Sequence, residues 1–308
     1  MDSGLIKLGI VGVGKIVRDQ HLPAISKNAD FELVAAASRN ATIEGVQNFR
    51  TIQEMLDNGP KLDAVALCMP PQYRYQAARY ALSKGVHVLL EKPPGATVSE
   101  VVQLADLAKQ NSLSLFATWH SRCGAAVNKA KQLLAGKSIE SASVVWREDV
   151  RKWHPDQEWI WQAGGLGVFD PGINGLSILT YLLPEPAFVT HSSLSFPANK
   201  AAPIAASMRF TTSSGLPIDL EFDWRQSGGE VWDIHFQTDE GELLISEGGG
   251  SVSLSGNRIE VEESNEYEVI YQRFAEIIRA GESDVDLAPL ALTADAFLLG
   301  DREIVDAF

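Results

Sequence analysis

The sequence predicts an α/β protein of two domains. The first is a Rossmann doubly wound parallel sheet. The second is an α+β domain with a large, mostly antiparallel sheet. Three observations carry this. A glycine turn, Gly12-Val13-Gly14, follows a β-type run at Leu5 to Val11. Strand-type runs then alternate with helical stretches as far as Thr118, the pattern of parallel strands joined by crossover helices. After Trp119-His120-Ser121-Arg122 one more helix leads into runs of strands separated by glycine turns, which indicates antiparallel pairing. A chain of 308 residues suits two domains. The first, dinucleotide-binding, is placed at 1–121 and the second, substrate-binding, at 122–308. Roughly the last 20 residues are expected to be able to pack back on the first domain.

A helix from Lys15 towards Lys27 follows the glycine turn, and Phe31 to Ala37 is the second strand. Strand, glycine turn, helix, strand is the setting in which a glycine fingerprint has meaning. Gly12 permits the tight turn. Gly14 lets the backbone approach a pyrophosphate at the helix N-terminus, where free N–H groups and the helix dipole favour an anion. Lys15 and Ile16 open that helix and join the candidate cofactor site. Val17 stands where a third Gly or Ala is usual, so slightly looser helix–strand packing is expected. The second strand ends at Ser38-Arg39-Asn40, with no Asp or Glu to bond the ribose hydroxyls of NAD. Ser38 and the planar fork of Arg39 suit a 2′-phosphate, although Arg39 also fits a solvated loop. The expected cofactor is NADP or NAD, with dual use and NADP favoured.

Leu62 to Cys68, Val86 to Leu90 and Leu113 to Thr118 continue the strands. Tyr73 to Ser83 and Ser99 to Gln110 are the helices between them, with Ser99 able to cap the second. Cys68 reads as a small buried hydrophobe. Two neighbouring strands end in proline pairs, Met69-Pro70-Pro71 and Glu91-Lys92-Pro93-Pro94. Proline cannot extend a ladder and stiffens the chain past the strand end. Ligands of open parallel sheets bind beyond the carboxyl ends of the strands. That edge is therefore expected to carry the nicotinamide half, with Met69, Pro70, Glu91 and Lys92 around it. A lone Lys at a strand end is ordinarily a surface residue; its place beside a dinucleotide edge gives Lys92 another use.

The second half reads as a helix at Ala125 to Leu134 and strands at 141–150, 188–196, 205–212, 217–224, 231–238 and 242–247. Helices at Pro171 to Leu183 and Tyr267 to Arg279 are expected to cover one face of that sheet. Gly248-Gly249-Gly250 reads as a turn, since no helix follows it to make a phosphate loop. Alternation in Pro217 to Trp224 places Asp219, Glu221 and Asp223 on one face, either solvated or part of a homodimer contact.

Composition narrows the partners. Apolar residues make up 45% and charged residues 21%, as in ordinary globular proteins. With 26 basic and 40 acidic side chains the net charge is −14, which argues against nucleic acid and anionic membrane. Two cysteines do not make a disulfide framework or a metal cluster. No apolar run approaches membrane-spanning length and no leader pattern opens the chain, so a cytoplasmic location is expected. No metal is expected.

Two clusters in the second half point to chemistry. Trp146, Trp153, Trp159 and Trp161, four of the seven tryptophans, are interleaved with Glu148, Asp149, Arg151, Lys152 and His154. Aromatic faces cover the C–H surface of a pyranose while carboxylates and imidazole bond its hydroxyls. Core tryptophans beside a solvated charge run are the plainer alternative. In the second cluster, Gly164 to Asn174, a glycine-rich approach delivers Asp170 to a helix start. Asp170 could simply be an N-cap with Pro171 behind it. Asn174, four residues on, lies on the same face of the first turn.

Taken together, Gly9-x-x-Gly12-x-Gly14, Glu91-Lys92-Pro93 and Gly164-Gly165 leading to Asp170 resemble the Gfo/Idh/MocA family of NAD(P)-dependent oxidoreductases, along the whole chain. Asp19-Gln20-His21-Leu22-Pro23, Trp119-His120-Ser121-Arg122, Glu148 to Pro155 and Gly165 to Asn174 resemble its sugar 1-dehydrogenase branch. The resemblance implies oxidation of an aldopyranose (D-galactose, L-arabinose or D-fucose) at C1 to the lactone. It implies catalytic roles for Lys92, Asp170 and Asn174, and a sugar pocket lined by Glu148, His154, Trp153 and Trp232 with His120 nearby. It also implies a cis Lys92–Pro93 bond. Many family members have His where this chain has Asn174. An amide exchanges no proton at neutral pH, so the proton is expected to go to Asp170 or Lys92. Another polyol or carbonyl reaction of the family, or a non-catalytic sensor, is the alternative.

Overall fold

The computed structural model describes residues 4–308. The chain forms two compact units. The first takes the described residues through Trp119 together with Tyr267–Asp286, and the second takes His120–Glu266 and Leu287–Phe308.

The first unit is a six-stranded parallel sheet of β1 (Ile6–Val11), β2 (Phe31–Ala37), β3 (Gln47–Phe49), β4 (Ala64–Leu67), β5 (His87–Leu90) and β6 (Leu115–Ala117), in the order β3-β2-β1-β4-β5-β6. This is the doubly wound dinucleotide-binding order, whose switch point lies between β1 and β4. Central strands are apolar throughout because helices cover both faces; all four residues of β4 are buried. The helix after the glycine turn is irregular, with a π turn at Val17–His21 before Leu22–Lys27. Val17 is fully buried. A π turn holds one more residue than an α turn and begins where the fingerprint would have its third small residue.

Three expectations change in this unit. The helix Val98–Gln110 is capped by Thr97, not Ser99, in a full capping box with Glu100. Cys68 is past the end of β4 and only partly buried, with its sulfur 3.6 Å from His21 Nε2. From Tyr267 on, the helix Glu266–Ala280 belongs here rather than on the second sheet. Its Phe274 stacks on Phe31 and Phe116, at 5.8 and 6.1 Å between centroids. The segment then bonds β6, Ala117 N–H donating to Asp284 O at 2.9 Å.

The second unit is built on nine strands: β7 (Ile139–Arg147), β8 (Ala187–Pro197), β9 (Ala205–Thr212), β10 (Pro217–Asp223), β11 (Val231–Thr238), β12 (Gly241–Ser246), β13 (Ser251–Leu254), β14 (Asn257–Ile259) and β15 (Asp301–Val305). Their order is β14-β13-β12-β11-β7-β10-β9-β8-β15. Pairing is antiparallel except at β7/β10 and β8/β15. The last strand thus extends this sheet, paired in parallel with β8. Period-two alternation decides which face is covered: Ile218, Leu220 and Phe222 are buried, while Pro217, Asp219 and Glu221 are exposed. Helices Phe169–Leu182 and Ala288–Leu299 lie on the covered side. The outer face is polar and ion-paired, with Arg147–Glu221 at 2.6 Å and Arg209–Asp219 at 3.3 Å. No helix among the described residues is long and apolar enough to cross a membrane.

Candidate active site

In the first unit the candidate cofactor residues gather at the carboxyl ends of adjacent parallel strands. Gly12, Gly14, Lys15 and Ile16 follow β1, Ser38 and Arg39 follow β2, Met69 and Pro70 follow β4, and Glu91 and Lys92 follow β5. Gly12 has φ +88°, and a Cβ there would come within 2.7 Å of Met69 N; only glycine suits this crossing of two strand ends. A Cβ on Gly14 would meet nothing within 4 Å. An exposed turn with open space before it, leading into a helix whose first N–H groups lack intrahelical partners, fits a pyrophosphate. Arg39 is exposed and lies 5.9 Å from the Tyr73 ring centre. Its guanidinium keeps its donors for a phosphate or solvent while the ring supports its face. These residues fit a dinucleotide.

The Glu91-Lys92-Pro93 corner is held from both sides. The Lys92–Pro93 bond is cis. Glu91 is buried, and its Oε2 accepts the Lys92 N–H at 2.7 Å. Its Oε1 accepts the Tyr267 hydroxyl at 2.7 Å and lies 3.1 Å from His21 Nε2. Buried Arg74 donates to the carbonyls of Glu91, Pro93 and Met69. Burial opposes the charged form of His21. Cys68, Tyr271 and Glu91 around the ring outweigh it and hold the pKa well above the ordinary imidazole value. Burial pushes the Tyr271 hydroxyl up to about 12. Sequence reasoning missed Arg74, Tyr267 and Tyr271, and placed His21 only within a family motif. The available signal was a histidine and two tyrosines on otherwise apolar helix faces.

In the second unit the structure brings together Glu148, His154, Asp170, Trp153 and Trp232. Glu148 follows β7 and is buried. Its oxygens accept the indole N–H groups of Trp224 and Trp232, at 3.2 and 3.1 Å. His154 Nε2 lies 3.6 Å from Asp170 Oδ2 and 3.8 Å from Glu148 Oε1. These separations are longer than a direct hydrogen bond. Trp153, 41% exposed, packs on Trp232 with centroids 5.5 Å apart. Asp170 is buried inside the first turn of Phe169–Leu182, whose N-cap is Val168. Asp170 is therefore not an N-cap. Gly172 lets this helix lie close on the sheet, since a Cβ there would reach 2.4 Å from the Phe222 ring. Asn174, half-buried, is one turn further along. His120 bonds Glu266 at 2.6 Å, and its turn packs against the same helix, Arg122 Nε donating to Ser177 O at 3.1 Å. Trp224, beneath His154, was not anticipated as a site residue; its ring centre is 5.4 Å from that imidazole.

The family model described as an oxidoreductase family with an NAD-binding Rossmann fold, GFO_IDH_MocA, matches residues 6–118. The galactose 1-dehydrogenase of Pseudomonas fluorescens is 45% identical over 303 residues, 98% of each chain. The chain belongs to the Gfo/Idh/MocA oxidoreductase family. A crystal structure of the D-galactose-1-dehydrogenase protein from Rhizobium etli superposes with a TM-score of 0.96 at 59% identity, covering 100% of this chain and 99% of that one. The D-glucoside 3-dehydrogenase of Escherichia coli is 26% identical over 208 residues, 64% of this chain and 59% of that one. In this family member the NAD-binding Rossmann fold is the first unit, and the Trp and carboxylate cluster lies in the second.

Proposed function

We propose that the protein oxidises D-galactose at C1 to the lactone with NADP or NAD, and that it accepts L-arabinose and D-fucose. The observation that carries this reading is the near full-length likeness to two galactose dehydrogenases, at 45% and 59% identity. The chemistry of the Asp170–His154–Glu148 cluster supports it. L-Arabinose and D-galactose share their ring stereochemistry and differ by one hydroxymethyl group.

When bound, the nicotinamide supplies the hydride acceptor. The Lys92 ammonium stabilises negative charge developing on O1. Asp170 takes the hydroxyl proton. Asn174 cannot, since an amide neither gives nor accepts a proton at neutral pH; it bonds an adjacent hydroxyl. His154, 3.6 Å from Asp170, faces the carboxylate that gains the proton. Trp153 and Trp232 offer aromatic surface to the C–H face of the ring. Ser38 and Arg39 read the 2′-phosphate.

The test is an aldose panel read as NADPH or NADH formation at 340 nm. Galactose, arabinose and fucose should give the highest kcat/KM. No turnover with any aldose, alongside turnover of an inositol, would remove the reading. For the cofactor, Arg39→Ala should weaken NADP about tenfold more than NAD; equal losses would take the phosphate role from Arg39. The reading includes a cytoplasmic setting and a homodimer. A monomer mass by sedimentation velocity at two concentrations would remove the dimer.

A further inference from the structure

We propose that His21, Tyr267 and Tyr271 form a positioning network that acts through the Glu91 carboxylate to set the backbone of Lys92. The proposal rests on the reading of Lys92 as the catalytic amine. Its test includes a measurement that needs no turnover.

Glu91 is the joint. One of its oxygens takes the Tyr267 hydroxyl and faces His21 Nε2, while the other holds the amide of Lys92 itself. On the far side of the imidazole, Nδ1 is 2.7 Å from the Tyr271 hydroxyl. A continuous polar chain therefore runs from Tyr271 through His21 and Glu91 to the N–H of Lys92. The opposite edge of the corner is gripped by Arg74, on the carbonyls of Glu91 and Pro93. The Glu91–Lys92 peptide is thus held at its N–H by the Glu91 carboxylate and at its carbonyl by Arg74, which also grips the Pro93 carbonyl.

The energetics argue that this chain of bonds serves geometry rather than stability. Burying a carboxylate and an imidazole is costly, and well-packed apolar side chains often do as well or better. His21 is 0% and Glu91 4% exposed. A strand end that had only to be stable could have been filled with leucine. The π turn ending on His21 points the same way, since such turns are frequent at functional sites. The helix carrying both tyrosines enters the first unit only after the chain has built most of the second. It brings to Glu91 the two hydroxyls that complete the network.

The experiment uses Tyr267→Phe, which removes one hydroxyl and little volume, with Tyr271→Phe and His21→Gln beside it. Apo wild type and variants are trace-acetylated with acetic anhydride. Lys92 labelling is read by mass spectrometry against exposed Lys61 and Lys109 in the same unit. The network predicts Lys92 reactivity changed by about threefold or more with the reference lysines unmoved. It also predicts kcat lowered by about tenfold or more, while the Kd for NADP and the sugar KM stay within about threefold. Unchanged Lys92 labelling in Tyr267→Phe and Tyr271→Phe would overturn the proposal, even if His21→Gln unfolds or kcat falls along with Tm. If wild type oxidises no sugar, the activity reading fails alone, and the labelling still decides whether the network sets Lys92.

Discussion

Glu148 shows how one buried carboxylate can hold two tryptophans together. Both of its oxygens are engaged by indole N–H groups, although an ionised carboxylate keeps lone pairs for further donors. Replacement by glutamine turns one acceptor into a donor that faces an indole N–H. Glu148→Gln should cost about 1–3 kcal/mol in urea unfolding and raise the galactose KM more than it lowers kcat. A variant with wild-type stability and KM would show that the tryptophans need no anion between them. At His21 the sign of the pH dependence follows from its raised pKa. The folded protein holds the proton more tightly than the unfolded chain does. This contribution is therefore complete below the ordinary imidazole pKa of about 6.5 and is lost as pH rises through the folded value. Unfolding free energy should fall more between about pH 6 and pH 9 in wild type than in His21→Gln; parallel curves would contradict it. Lys92 and Asp170 stand out in the sequence because glycines and prolines flank them. Arg74 and the tyrosines were not marked by anything local: Arg74 reaches Glu91, 17 residues away, and Tyr271 meets His21, 250 residues away.

At the scale of elements, periodicity carried most of the reading. The extents of β2, β9 and β11 and of the helix Ala125–Leu134 match those expected from apolar spacing and turns. The short strands β3, β13 and β14 escaped, because three or four residues hold too little alternation to register. Capping chemistry was misassigned by two residues at Val98–Gln110. Thr97 accepts the Glu100 N–H at 3.3 Å, and Glu100 reaches back to the Thr97 N–H at 3.2 Å. Thr97→Ala should lose about 1 kcal/mol, whereas exposed Ser99→Ala should lose almost none; thermal melts of the pair check this. Gly172 fixes the approach of the helix that carries Asp170. With a Cβ 2.4 Å from the Phe222 ring, Gly172→Ala should destabilise by about 1–3 kcal/mol and lower turnover by moving Asp170. Wild-type stability and turnover together would mean that Phe222 yields without cost.

For the whole molecule, the alternation of strands and helices followed by runs of strands was enough to give two domains and the class of each sheet. The route of the chain between them was not readable. Residues 267–286 look like any amphipathic helix in sequence; their place in the first unit comes from Phe274 on Phe31 and Phe116 and from the hydroxyls reaching His21 and Glu91. The final strand likewise has too few apolar residues to announce a sheet position, and backbone pairing with β8 supplies it. The net charge of −14 suits a neutral sugar, which needs no electrostatic steering. The step to test is hydride removal from C1 of galactose. Its most direct measurement is turnover of [1-²H]galactose with NADP, following both rate and label. Deuterium on the reduced nicotinamide and a lactone product are expected, with a slower reaction than with the unlabelled sugar whenever hydride transfer limits kcat. Deuterium retained on the sugar while NADPH accumulates would place the oxidation at another carbon and contradict it.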